Sequence, residues 1–576
     1  MTEASALPRL VARVVPDVTG LDKHFDYLVP ESLVGSVGIG SLVRVALHGR
    51  RVGGWVAELI DERAAGVDPA RLVPIAKWSS IGPSAETVDL ARWASVRWGA
   101  GRLRPFLAAA SPPTMVVRLP PSRRTRRSAS VPATDEVRRL SPFADPLPMV
   151  VEAAQRGPTI AVHPSPRAAH ALATRLRRAG LSVALLPGEW AAAAGGVDVV
   201  VGSRTAAWAP CDGLAAVVVI DEHDEAYQEE RSPTWHARDV LIERARRAGA
   251  SCWLLSPAPT LSARHWIGRS PAIVDTTWPR VEIDDRSDVE PWRRSIVGSR
   301  LIELLRDADR RVVCVLNAPG RARLLACRSC KSLQRCERCT AAVMQPDDAE
   351  LSCPRCAASR PVVCQRCGAT ALSNVRPGVT RLREELESAA GRPVLLVTGA
   401  MAADDEAQAQ AIKEAGVVVG TEAVLHRAGR ADAVVFLDID AEVLAPRYRA
   451  SEHAVALVVR AGRLVGRPDG GGIVVLQTHD PGHPVVQALA SGDLESLVDD
   501  EASRRAAMRL PPFAALAALE GAAAVAMAEA TGLEWARTAK GALLRADDWM
   551  ALGEAINEAP RPRGSSCRVE VDPPRA

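Results

Sequence analysis

Four Cys-x-x-Cys pairs stand within 41 residues: Cys327/Cys330, Cys336/Cys339, Cys353/Cys356 and Cys364/Cys367. No other feature restricts the fold of this chain so tightly. A Cys-x-x-Cys turn presents two thiolates from one short backbone loop, and two such turns complete a tetrahedral zinc site with four thiolate ligands. Eight thiolates therefore predict two structural Zn2+ ions per chain, with closed coordination and no position for a catalytic water. Spacing alone does not say which pairs share a metal. Between Cys339 and Cys353 the run AAVMQPDDAELS places two short strand-like pieces around a Pro-Asp-Asp turn. A hairpin there brings the second and third pairs together and leaves the first and fourth to meet at its base. The favoured arrangement is nested: Cys327, Cys330, Cys364 and Cys367 on one zinc, Cys336, Cys339, Cys353 and Cys356 on the other. Four regular pairs without a secretory signal ahead of them are a metal pattern rather than a disulfide framework. A redox role needs one pair beside a thioredoxin-like unit.

At 576 residues the chain has room for several domains. Its 47% hydrophobic and 24% charged content excludes a disordered chain. The net charge of +4 is too small to establish a nucleic-acid partner by itself, so that case rests on local arginine clusters. No run of about 18 apolar residues occurs, and MTEASALPRL lacks a signal-peptide core. The expectation is a soluble, cytoplasmic protein with no membrane partner. Cys211, Cys252, Cys314 and Cys567 are scattered, and plain burial is the role expected of them.

Taken in order, residues 8–62 carry strand-like runs punctuated by glycine, which predicts a small sheet or barrel. A helical pattern, AETVDLARWASVRWGAGRLRPFLAAA, completes a first domain over 1–115. Residues 116–146 form a Pro/Ser/Arg-rich stretch expected to be an exposed linker. Its Arg123, Arg124, Arg126 and Arg127 either bind DNA phosphates through counterion release or serve as a solvated connection. Over 147–285, short apolar strands such as TIAVHP, VDVVVGS and AAVVVID alternate with amphipathic helices, the pattern of a parallel doubly wound sheet. A second such series spans 286–326 and 371–490, with the cysteine block 327–370 inserted into it. The tail 491–576 is Ala-rich, helical in pattern, and ends in the strand-like RVEVD.

Several motifs fall in a fixed order along these elements. VVVIDE at 217–222 is a buried strand ending in two acids. GSRTA stands at 202–206, HARD at 236–239, RASE at 449–452, LQTHDPGHPVVQAL at 476–489 and LPPF at 510–513. FDYLVP lies near the N-terminus, and the cysteine block follows Leu316, Asn317 and Gly320. As a set, and over nearly the whole chain, this resembles the PriA family, the superfamily-2 DNA helicases also called primosomal protein N′. The resemblance implies an α/β multidomain protein: an N-terminal small β domain that binds 3′ DNA ends, two RecA-like helicase lobes with a double zinc insertion held by the eight cysteines, and a C-terminal α+β domain. It implies the nested pairing as well. Its implied partners are forked DNA with a 3′ leading-strand end, the replicative helicase, primosome or loader proteins, and single-stranded DNA-binding protein, at the nucleoid. The family's end-binding Phe-Asp pair falls on Phe25 and Asp26, an aromatic face for the terminal base and a carboxylate acceptor for its 3′-hydroxyl. A family glycine is matched approximately by Gly49, and a family lysine falls on Val73.

The sequence also departs from that family. A motor of this class needs G-x-x-x-x-G-K-[ST], whose backbone N–H groups and lysine hold nucleotide phosphates. Ahead of TIAVHP stands DPLPMVVEAAQRGP, with Gly157 and no lysine. The acidic D-E-E-H motif reads Asp221-Glu222-His223-Asp224, G-S-A-T-P reads Ser256-Pro257-Ala258-Pro259-Thr260, and G-R-A-G-R is stretched over Gly462–Arg467. Asp221, Glu222, Arg463 and Arg467 are accordingly expected to be vestigial, with Asp221 and Glu222 either closing a strand end structurally or still holding Mg2+, ATP binding in doubt, and the winged helix reduced or absent. The expected function is fork binding and primosome assembly without helicase activity of its own. The alternatives are an active ATP-dependent 3′→5′ helicase, or a zinc-stabilised interaction protein outside replication.

Overall fold

The computed structural model describes residues 9–21, 23–65, 68, 71–125, 132–288, 296–316, 325–330, 332–345, 350–354, 356, 358–374, 379–397, 406–560 and 566–574. They form two compact units. One comprises Met1–Val137, Asp145–Leu255 and Pro511–Pro573, the other Arg138–Ala144, Ser256–Leu510 and Pro574–Ala576.

The first unit begins with a five-stranded antiparallel sheet in the order Phe25–Leu28, Leu10–Pro16, Arg50–Asp61, Leu42–Leu47, Lys77–Ser80. Strand-forming valines supply its core: Val14, Val43, Val45 and Val56, with Ala12 and Tyr27. Pairing of Ala12 with Tyr27, Arg13 with Asp26 and Val14 with Phe25 sets which side chains stand together. His48 and Gly49 join two of the strands with φ of 47° and 77°, the left-handed pair required by a two-residue hairpin turn. The helical pattern that follows is two helices, Ala85–Arg97 and Arg104–Ala110. Gly99 and Gly101, at φ 55° and 66°, break it.

Five parallel strands follow in the order Ser251–Ser256, Ala216–Ile220, Thr159–Val162, Val199–Gly202, Val183–Leu185, with Asp135–Arg139 outside Ser251–Ser256. Every residue of Ala216–Ile220 is buried, as a central strand covered on both faces requires. The stretch expected to be an exposed linker is in part structural. Thr125 donates to the Asp198 carboxylate from its N–H at 2.9 Å and its hydroxyl at 2.7 Å, and Arg123 N–H donates to Gly196 O at 2.9 Å. Asp198 is buried and also receives Ser182 N–H and O–H, so ordering this segment satisfies a carboxylate that would otherwise be costly.

The Ala-rich tail also departs from its helical pattern. Ala515–Glu520 is a strand, paired with Gly541–Ala546 and Arg568–Val571, and Glu534–Thr538 completes a four-stranded antiparallel sheet. Burial of most of its residues outweighs the helix propensity of alanine. The preceding helix, Glu495–Ala507, belongs to the second unit.

The second unit is built on six parallel strands in the order Val281–Asp285, Ile473–Thr478, Ala433–Phe436, Val312–Val315, Val417–Gly420, Leu395–Val397. Helices Ser299–Arg306 and Val379–Ala390 pack on one core and Ala450–Val465 on another. The cysteine unit lies between Val312–Val315 and the later strands. No helix among the described residues is long and apolar enough to cross a membrane.

Candidate metal centres and nucleic-acid interface

The eight cysteines gather into two groups. Cys327, Cys330, Cys364 and Cys367 form one, and Cys336, Cys339, Cys353 and Cys356 the other, each with all four sulfurs within 4.8 Å of one another. A short antiparallel pair, Leu325–Cys327 with Leu372–Asn374, closes the outer group. Within the inner one, Met344 and Ser352 of the AAVM…AELS stretch exchange 2.8 Å backbone bonds, and a regular ladder joins Glu350–Ser352 to Ser359–Pro361. The closest sulfurs across pairs are 3.4–3.5 Å apart, far beyond the ~2.05 Å of a disulfide. Tetrahedral Zn–S bonds of ~2.3 Å place sulfurs a little under 4 Å apart, so the donor set and its spacing fit Zn2+. A zinc ion so held would cross-link four backbone segments and leave no coordination site open.

Phe25 and Asp26 lie on the strand Phe25–Leu28, with Phe25 half-buried. Arg13, opposite Asp26, donates to its carboxylate at 3.1 Å and to Glu58 at 2.8 Å. The hydrogen bond to Asp26, ahead of the two carboxylate charges, raises the Arg13 pKa despite some burial. Asp26 is thus positioned by a cation across the sheet. Val73 is half-exposed, and its carbonyl accepts from Leu28 N–H at 3.1 Å, beside the same strand. Gly49 is at the exposed hairpin turn. Arg124 donates to the Asp212 carbonyl, and Arg126 and Arg127 lie outside the described residues, as do Asn317 and Gly320.

The motor-like positions are already engaged. Asp221 ends its strand at φ 55°, buried, with its carboxylate 3.8 Å from His163 Nε2. Glu222 is fully buried and paired with Arg238 at 3.2 Å. Arg238 also meets Asp239 at 3.1 Å, and Arg97 meets Asp239 at 3.0 Å. Burial alone would raise the Asp239 carboxyl, but the charges of Arg238, Arg97 and His236 outweigh it and hold it below the usual range. At the start of the helix Leu147–Ala154, the Asp145 carboxylate accepts Leu147 N–H at 3.1 Å, and Pro148 has no N–H to offer. Arg175 donates to Asp145 at 2.9 Å, and this hydrogen bond is the main reason the Asp145 carboxyl is held low. In the other unit, Arg463 Nε donates to Pro142 O at 3.0 Å and Arg467 lies 5.9 Å from the Phe143 ring. Arg430, Arg463 and Arg467 line a recess of about 550 Å³.

Residues 13–109 match the family model described as the 3′DNA-binding domain (3′BD) of PriA. The Bacillus subtilis replication restart protein PriA is 26% identical over 56% of this chain and 43% of its own length. The probable replication restart protein PriA of Mycobacterium tuberculosis is 29% identical over 88% of this chain and 85% of its own. The chain is similar to PriA-family proteins over most of its length. It spans about half the length of the Bacillus and Rickettsia PriA proteins that it matches. A solved structure of RecG bound to a three-way DNA junction overlaps 65% of this chain and 44% of its own at 12% identity, with a TM-score of 0.36.

Within this chain, three features escape motif reading. Arg13 is found only once strand register is known, although its place in an alternating strand hints that it faces away from the core. Asp145 carries a faint signal, since Asp-Pro before an apolar run is a helix-start pattern. Arg238 sits in the HARD motif, but nothing local says that it reaches Glu222.

Proposed function

We propose that this chain is a PriA-family replication restart protein that binds abandoned or stalled forks at a 3′ leading-strand end. It promotes primosome assembly and reloading of the replicative helicase without helicase activity of its own, in the cytoplasm at the nucleoid. Two zinc ions, one per cysteine group, give the second unit a rigid platform for DNA, loader proteins or single-stranded DNA-binding protein. The match of residues 13–109 to a 3′DNA-binding domain supports the DNA half of this reading. Phe25 offers a face for the terminal base, and Asp26, held by Arg13, an acceptor for the 3′-hydroxyl.

The non-motor half is carried by the Asp145 carboxylate at the helix start where phosphate would sit. A negative group there repels a nucleotide at the position that attracts it in a working motor. Glu222, locked to Arg238, is withdrawn from Mg2+. The test pairs two measurements on the purified full chain. Titration with labelled forks should give tighter binding when the leading strand has a free 3′ end than when it is absent, and no ATP analogue should bind at millimolar concentration. ATP turnover that collapses in Glu222→Gln would establish the active 3′→5′ helicase instead. Equal affinity for blunt duplex and for forks would leave the zinc-stabilised interaction protein outside replication.

A further inference from the structure

The two cysteine groups differ in what lies behind their sulfurs. Around the inner group are Leu325, Ala341, Val343, Leu351 and Val362, an apolar shell that excludes water. In the outer group Cys327 and Cys364 are buried, Cys330 is half-buried and Cys367 is exposed. Behind it stands Gln334, a side chain only 1% exposed. Its amide Nε2 lies 3.4 Å from Cys364 Sγ, 3.3 Å from Ser332 Oγ and 2.9 Å from the Ser332 carbonyl. Its Oε1 accepts from an Arg360 guanidinium N–H at 3.2 Å. Ser332 Oγ in turn lies 3.3 Å from Cys364 Sγ and 3.2 Å from Cys330 Sγ. Gln334 N–H donates to Leu325 O at 2.8 Å, which ties the side chain to the strand that carries Cys327.

We propose that Gln334, Ser332 and Arg360 form a polar support for the Cys327/Cys330/Cys364/Cys367 site alone, holding its thiolates against loss of the metal. Four thiolates on one dication carry a net charge of −2. Donors aimed at sulfur spread that charge, fix the direction of the sulfur lone pairs, and make protonation or alkylation of the thiolate harder. Arg360 polarises the Gln334 amide, so its charge acts on Cys364 through that amide. The inner site gains the same protection from burial. Gln334 and Ser332 are therefore positioning residues that offset the exposure of Cys367.

This inference rests on the zinc reading of both groups. The full chain, purified with its metal, is challenged with the chromogenic chelator 4-(2-pyridylazo)resorcinol. Freed cysteines are then alkylated with N-ethylmaleimide and located by peptide mass mapping. In Gln334→Met, one of two zinc ions should leave on the order of tenfold faster, and Cys327, Cys330, Cys364 and Cys367 should be the cysteines labelled first. Gln334→Glu, which keeps size but loses the donor, should behave like Gln334→Met. Ser332→Thr, which keeps its hydroxyl, should retain the wild-type rate where Ser332→Ala does not; this pair decides the matter if Gln334 variants do not fold. Unchanged release in Gln334→Met and Ser332→Ala, or equal acceleration of both ions, overturns the proposal. Fewer than two zinc ions in the wild-type chain overturns the zinc reading and this proposal with it.

Discussion

The cysteine unit and the acid-bearing strand end at Asp221 are both places where a metal would be sought, and they differ in what their ligands face. In the cysteine unit, eight sulfurs point at one another across gaps of metal size. At the strand end, Glu222 is paired with Arg238, while Asp221 stands by His163. One region has a donor set that fits an outside cation, since four clustered thiolates ionise together only with such a charge among them. In the other, the charge of Glu222 is balanced by an arginine of the same chain.

The largest effect that tests this contrast is loss of zinc. Apparent zinc binding of about 10–16 kcal/mol per site is folding energy for a small four-cysteine unit. Cys336→Ser should halve the zinc content and expose 332–372 to protease while the two parallel sheets keep their circular-dichroism signal. Retention of two zinc ions in that variant would break the contrast from the cysteine side. Glu222→Gln comes next. Removing one partner of a buried ion pair costs about 3–5 kcal/mol, so thermal unfolding should fall by several degrees with no change in fork affinity. An unchanged melting temperature together with lost ATP turnover would restore a motor role to this acid.

Phe25→Ala should weaken binding to forks with a 3′ end by about 1–3 kcal/mol, the worth of one stacked base, and leave blunt duplex unaffected. Direct titration with both DNAs reads the difference. A smaller effect attaches to Asp239, whose folded pKa is depressed. Its stabilisation is present above the unfolded carboxylate pKa of about 3.9 and is lost as pH falls towards the folded value. Denaturant titrations of Asp239→Asn between roughly pH 5 and pH 2 should show a shallower loss of stability than the wild type, from a lower starting point. The smallest change is expected from Arg124→Ala, about 1 kcal/mol of stability from one hydrogen bond to the Asp212 carbonyl, with fork affinity nearly unchanged. A large drop in affinity would return Arg124 to the DNA interface.

Much of the fold is legible because its signals are local. Apolar strands such as AVVVI at 216–220 and VVVG at 417–420 announce buried parallel sheets without reference to anything distant. The tail misleads for the opposite reason: the alanines of Ala515–Glu520 favour helix locally, and only pairing on both sides makes them a strand. The stretch 116–146 reads as an open linker because the acceptor that orders it, Asp198, is 73 residues from Thr125.

By itself, the sequence determined the kind of chemistry available: eight thiols in four Cys-x-x-Cys pairs with the spacing of metal ligands, and a Phe-Asp pair near the N-terminus. Cys-x-x-Cys spacing is a property of a few consecutive bonds, and so it can be read from the chain alone. Tertiary structure decided who meets whom. It placed Arg13 against Asp26, Arg238 against Glu222 and Gln334 behind Cys364. Charge compensation and hydrogen bonding between distant residues depend on strand register and packing, which no local pattern encodes.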